Sequence, residues 1–201
     1  MSTRPLRSSH VAAFSQVLLA LVLTTFAVSV NAFLQSDIPT YEGVVTDTAK
    51  VLLPAERFDI TQTIRNYEQA TGFQFAVLTV VSVKPESIEM FSKRVANGWG
   101  LGRSNSGDAA LVVVAVNDHQ VRVELGRKMA HRIPETFASQ VINEVMIPEF
   151  RRGRFALGIT AGLDRLMDKS KHPDSNSVGV FSTTSLRHGT ENKARLKSQL
   201  S

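Results

Sequence analysis

Two apolar runs set the tightest limit on what this chain can fold into. Phe73 to Val81 and Ala110 to Val116 are almost unbroken in apolar and β-branched residues. A strand with one wet face alternates polar and apolar positions; a strand without that alternation is covered on both faces. Each run therefore reads as a buried strand, and the segments around them read as the cover. Leu53-Pro54 opens a helix, with proline in the first turn where a missing N–H does no harm. Ile60, Ile64 and Tyr67 follow at helical spacing, and Gly72 ends the run. After a loop around Pro85, a second helix places Ile88, Phe91, Val95 and Trp99 on one stripe. Gly100-Leu101-Gly102 breaks it, and residues 103–107 form a polar loop. Asn117-Asp118 makes a turn into Gln120 to Leu125, an alternating strand and hairpin partner of the second run. Two more helices are expected: one around Phe137, Val141, Val145 and Met146, ended by Pro148, and one from Phe155 to Met167. Helices alternating with strands give an α/β class. The expected architecture is a single three-layer sandwich with a central mixed sheet flanked by helices.

Both ends of the chain differ from this middle. Arg4 and Arg7 precede an apolar stretch from Val11 to Val30, and Val30-Asn31-Ala32 supplies a small-residue end. That pattern is a secretory signal peptide over 1–32, with the mature chain starting at Phe33. The rival reading is an uncleaved membrane anchor, since a span needs roughly 20 apolar residues. Ser15, Gln16, Thr24, Thr25 and Ser29 dilute the stretch and favour cleavage. The domain is expected over 33–169. From Ser170 onward Ser, Thr, Asn, His and Lys dominate, and few large apolar residues remain to offset ordering entropy. Residues 170–201 are expected to be a disordered basic tail.

Charge and cysteine content exclude several functions. The chain of 201 residues has a formal net charge of +5 and no cysteine. No disulfide, thiolate metal site or cysteine nucleophile is available. The positive charge lies largely in the two ends, which leaves the core near neutral. No basic patch with interleaved aromatics appears there, so nucleic acid is not an expected partner.

Several stretches together resemble the TPM domain. They are Val45-Thr46-Asp47 ahead of Leu52-Leu53 and a helix; Thr71-Gly72 running into Phe75-Ala76-Val77-Leu78-Thr79-Val80; Trp99-Gly100-Leu101-Gly102; and Gly107-Asp108 running into Leu111-Val112-Val113-Val114-Ala115. Asp118, Val121-Arg122-Val123-Glu124, Gly126 and Met146-Ile147-Pro148-Glu149-Phe150-Arg151 continue it. The resemblance covers about Tyr41 to Asp168. The family includes thylakoid-lumen proteins of photosystem II repair, bacterial exported proteins and a levamisole-receptor-associated protein of nematodes. One segment departs from it. After Gly126 the family usually has a tyrosine, a glycine, a leucine and a glutamate, where this chain has Arg127, Lys128, Met129 and Ala130. A glycine and an acid are lost and two cations gained, which puts a family cation site in doubt here.

The resemblance implies a site at Asp47 and Asp108. Both match family positions and fall in loops beside strands, and hard divalent cations prefer carboxylate oxygens. The plainer roles are a turn or helix cap for Asp47 and loop closure for Asp108. Calcium or magnesium is the implied cofactor, and no catalytic residue is assigned. Glu124, in an alternating strand, reads more simply as a solvated position, and Asp118 as a turn residue. Arg187-His188-Gly189 imitates a histidine-phosphatase signature but has only a short polar tail after it. His10, His119, His131 and His172 have no zinc spacing. Gly98-Trp99-Gly100-Leu101-Gly102 follows a helix, not a strand, so it is no dinucleotide loop; Trp99 is a core residue or a partner anchor. Arg151-Arg152-Gly153-Arg154 is a solvated helix junction, or else an anion dock.

The expected function is that of an exported factor that binds membrane protein complexes, or another exported protein, for assembly or maintenance. The alternative is a weak acid phosphatase assisted by a divalent cation. The location would be periplasmic or secreted in a bacterium and the thylakoid lumen in a photosynthetic organism. Membrane contact would come only through an uncleaved signal segment.

Overall fold

The computed structural model describes residues 37–102 and 107–174. The expected signal peptide over 1–32 with its expected cleavage site, His10 and Arg187-His188-Gly189 lie outside the described residues. A four-stranded sheet in the order β1-β2-β3-β4 forms the centre. Its strands are β1 (Val45–Asp47), β2 (Gln74–Val80), β3 (Ala109–Ala115) and β4 (Gln120–Leu125). The first three run parallel, and β4 returns antiparallel through the hairpin. The sheet is mixed and covered on both faces, as the two apolar runs require.

Alternate residues of each buried strand feed two separate cores. Phe75, Val77, Ala110, Val112 and Val114 pack with Ile60, Ile64 and Tyr67 of α1 (Pro54–Thr71) and with Ile159, Leu163 and Leu166 of α6 (Phe155–Lys171). Ala76, Leu78, Leu111 and Val113 pack on the other face with Ile88, Phe91 and Val95 of α2 (Ile88–Gly98). The parallel strands advance in one direction while their connecting helices change face. The two crossovers therefore have opposite hands, and one departs from the right-handed rule.

The helix ends behave as their residues dictate. Pro54 sits in the first turn of α1, and the Glu56 carboxylate accepts from Leu53 N–H at 2.8 Å. Gly72 closes the helix in the left-handed region at φ 76°, its N–H donating to the Glu68 carbonyl. Ser87 caps α2 by accepting from Met90 N–H.

Three elements differ from expectation. β1 was not expected; at three residues it is too short to show any alternation. A short helix α3 (Arg127–Arg132) follows Gly126 directly, with only Met129 buried on it. Pro148 does not end its helix. α4 (Glu135–Val141), a π turn (Ile142–Met146) and α5 (Ile147–Phe150) follow one another without a break. In the π turn Ile147 N–H donates to the Ile142 carbonyl, five residues back. The widened turn comes just before Pro148, whose ring and missing N–H disturb a regular α-helical ladder.

The C-terminal boundary also moves. α6 runs to Lys171, and Ser170, expected to begin the tail, is fully buried. Its hydroxyl bonds with the Tyr67 hydroxyl, and its carbonyl accepts from the Arg132 guanidinium at 2.7 Å. Removing residues 175–201 is expected to leave stability unchanged. Removing 170–201 strands the buried Tyr67 hydroxyl and the half-buried Arg132 guanidinium and costs about 2 kcal/mol. Urea unfolding of both truncations checks this; equal midpoints would contradict the role of Ser170.

Candidate functional site

Asp47 lies at the carboxyl end of the parallel strands, where open α/β sheets usually hold their ligands. Its carboxylate is already engaged. Oδ1 accepts from Val51 N–H at 3.1 Å and from the Thr79 hydroxyl, and Oδ2 accepts from Leu52 N–H at 3.0 Å. Thr79 is fully buried, and its carbonyl accepts from Thr48 N–H and Ala49 N–H. Lys50 takes the left-handed conformation at φ 55° and turns the chain back toward that carboxylate. Asp47 thus ties the loop before α1 to the end of β2, which is the turn role rather than the helix cap, since Leu53 is the N-cap of α1.

Asp108 lies at the opposite edge. It directly precedes β3, and its carbonyl accepts from Gln74 N–H at 3.0 Å at the start of β2. Asp47 is in register with Thr79, and Thr79 with Val114. Six residues of strand separate Asp108 from Val114, about 20 Å at the usual rise. The structure does not bring the two acids together, and they do not fit a shared divalent cation, which takes six or more oxygens from one cluster. Among the described residues no group of three or more His, Asp or Glu is placed to hold a metal.

The surroundings of Asp108 are built from backbone. Gly126 and Gly107 approach so closely that a Cβ on Gly126 would lie 2.6 Å from the Gly107 carbonyl oxygen. That oxygen accepts from Lys128 N–H at 2.8 Å and Met129 N–H at 3.1 Å, so it fills the first turn of α3. Gln74 bridges the edge, its Oε1 accepting from Gly102 N–H and its Nε2 donating to Glu68. Asp108 Oδ1 is buried and has no hydrogen-bond partner among the described residues. Lys128 and Ala130, where the family has a glycine and an acid, are exposed on α3.

The remaining candidates take structural roles. Glu124 faces α2, receives a bond from the Ser92 hydroxyl at 3.4 Å and lies 3.7 Å from Arg122, which also pairs with Glu135. It is less solvated than alternation implied. Asp118 accepts from Ser82 Oγ and from Val83 N–H at 2.8 Å, pinning the loop after β2 to the hairpin. Burial opposes its charge, but those hydrogen bonds and Lys84 prevail and hold its pKa below the ordinary value. Trp99 Nε1 donates to the Pro39 carbonyl, and its ring meets Tyr41 edge-on, so it holds the chain's own entry segment. In the basic junction, Arg152 and Arg154 both pair with Glu149.

One feature was not foreseen from the sequence. A cavity of about 520 Å³ opens at the carboxyl end of β3, between the hairpin and the α5–α6 junction. Its walls come from two segments well apart in the chain, 114–121 and 147–155, and no local motif marks them.

A family model described as the TPM domain matches residues 45–169. No curated protein sequence matches the chain. Among solved structures, the chain is similar to the N-terminal domain of a protein from P. gingivalis, with 29% identity and a TM-score of 0.58 over 63% of this chain and 80% of that one. It is also similar to the N-terminal domain of the cg2496 protein from Corynebacterium glutamicum, at 15% identity and a TM-score of 0.52, covering 74% and 93% of the two chains. The BA42 protein from the psychrophilic bacterium Bizionia argentinensis matches at 17% identity and a TM-score of 0.55, covering 63% and 86%. The last two likenesses concern the fold alone. The family model spans well over half the chain, in the segment where the sequence motifs lie, and the chain belongs to the TPM-domain family.

Proposed function

We propose that this chain is an exported binding module that docks on a membrane protein complex, or another exported protein, and serves its assembly or maintenance. The observation that carries the reading is the engagement of Asp47. The acid best placed for chemistry at the carboxyl edge already serves three donors of its own loop and strand. A docking surface is available near the start of α1. Leu53 is 66% exposed and Phe58 62% exposed, and Phe58 borders a shallow depression that Arg57 and Arg65 also line. Export follows from the positive start, apolar middle and small-residue end of residues 1–32. The site of action is then the periplasm or the medium of a bacterium, or the thylakoid lumen of a phototroph.

A second reading is favoured by one observation. Asp108 has a buried carboxylate oxygen without a partner among the described residues, and such a group invites a cation. Phosphatase activity assisted by calcium or magnesium would centre there, without Asp47. One experiment separates the two readings. The purified domain is titrated with calcium, magnesium and manganese and assayed with p-nitrophenyl phosphate in each. The binding-module reading expects no cation-dependent turnover. Turnover that needs a cation and disappears in Asp108→Asn would overturn it.

A further inference from the structure

We propose that the cavity at the carboxyl end of β3 is a binding site for a small apolar carboxylate, with one anionic head on a hydrocarbon body. The site is separate from both acids and from the surface around Phe58. Its floor is apolar: Val114, Val121, Ile147, Phe150 and Phe155 line it. Phe150 and Phe155 stack with ring centroids 5.3 Å apart, giving one wall a flat hydrocarbon face. The volume of about 520 Å³ falls within the range usual for small-molecule sites.

The rim sets the charge of the ligand. No Asp or Glu lines the cavity, while Arg151 and His119 do. Arg152 and Arg154 both bind Glu149, so the one acid of the junction is occupied. The hydrogen bonds of Arg154, opposed by burial and aided by the charges of both arginines, hold the Glu149 carboxyl below its ordinary pKa. Arg151 is the arginine of the junction that borders the cavity, and no described acid pairs with it. Its backbone is fixed by the bond from Arg151 N–H to the Ile147 carbonyl at 3.0 Å. A guanidinium fork suits a planar carboxylate bidentately. A single arginine balances one negative charge, which favours a carboxylate over a doubly charged phosphate. The chain's own C-terminal residues are a poor occupant, because Arg187, Lys193, Arg195 and Lys197 outnumber Glu191 there and would repel Arg151.

Octanoate and octanol are the probes, titrated into the isotope-labelled protein and followed by NMR. Octanoate is expected to shift the resonances of Val114, Val121, Ile147 and Phe150. Octanol, with the same body and no charge, should bind about tenfold more weakly. Arg151→Gln should lower octanoate affinity about tenfold and leave octanol unchanged. Arg151 is exposed, so the substitution is expected to preserve the melting temperature. Arg152→Gln, which removes one of the two partners of Glu149 and leaves Arg154 paired with it, should retain octanoate binding. Equal affinity for the two probes, insensitivity to Arg151→Gln, or shifts confined to the Phe58 surface would each overturn the proposal.

Discussion

Gly126→Ala is expected to lower the stability of the domain by about 3 kcal/mol, the upper range for overpacking a close contact. Gly126 has an ordinary φ of −64°, so its backbone conformation does not demand glycine. The demand comes from the space. A Cβ there would lie 2.6 Å from the Gly107 carbonyl oxygen and 2.8 Å from its carbon. These are backbone atoms, held by the bonds from Lys128 N–H and Met129 N–H, and they cannot swing aside as a side chain does. Relief requires moving β4 from β3 or withdrawing α3, and the bond from Gly126 N–H to the Ala109 carbonyl opposes both. Gly153→Ala is the control. That glycine has φ 73° but nothing within 4 Å of an added Cβ, so it should cost only about 1 kcal/mol. Denaturant midpoints of the two variants check the contrast. Equal losses would mean that backbone conformation, and not the contact of Gly107 with Gly126, governs this edge.

Asp47→Ala is expected to cost about 3 kcal/mol. It strips the acceptor from Val51 N–H, Leu52 N–H and the buried Thr79 hydroxyl together, and an unmade bond to a buried group costs about 1–3 kcal/mol. The loss should appear as faster amide exchange at Val51 and Leu52, because the loop before α1 is released first. Asp47→Asn keeps one acceptor oxygen and should lose less. Asp108 Oδ1 has no hydrogen bond to lose among the described residues, so Asp108→Asn should cost less than Asp47→Ala.

The parts of the fold legible in the sequence are those with a long periodic signal. The buried runs, the stripes of α1 and α2 and the terminating Gly72 each repeat one message over several residues, and the structure places them within a residue or two of expectation. β1 carries only three residues, and α3 contributes a single buried side chain, so neither had room for a pattern. Pro148 misled because its usual effect is local, whereas here the preceding π turn absorbs it. Site residues were harder. Asp47 and Asp108 look alike as loop acids beside strands, but strand register puts them at opposite edges, and register is a pairing property that a single strand does not display. The cavity beside Arg151 exists only once the hairpin meets the α5–α6 junction.

The engagement of Asp47 is the claim on which the functional reading turns. Its direct test is the thermal unfolding of wild type and Asp47→Ala, each in excess chelator and in excess calcium. If Asp47 serves the fold alone, the variant melts lower by the same amount, about 10 °C, in both solutions. If Asp47 holds a cation, calcium raises the melting temperature of the wild type and not of the variant, and the gap widens when calcium is present. That second result would contradict the account.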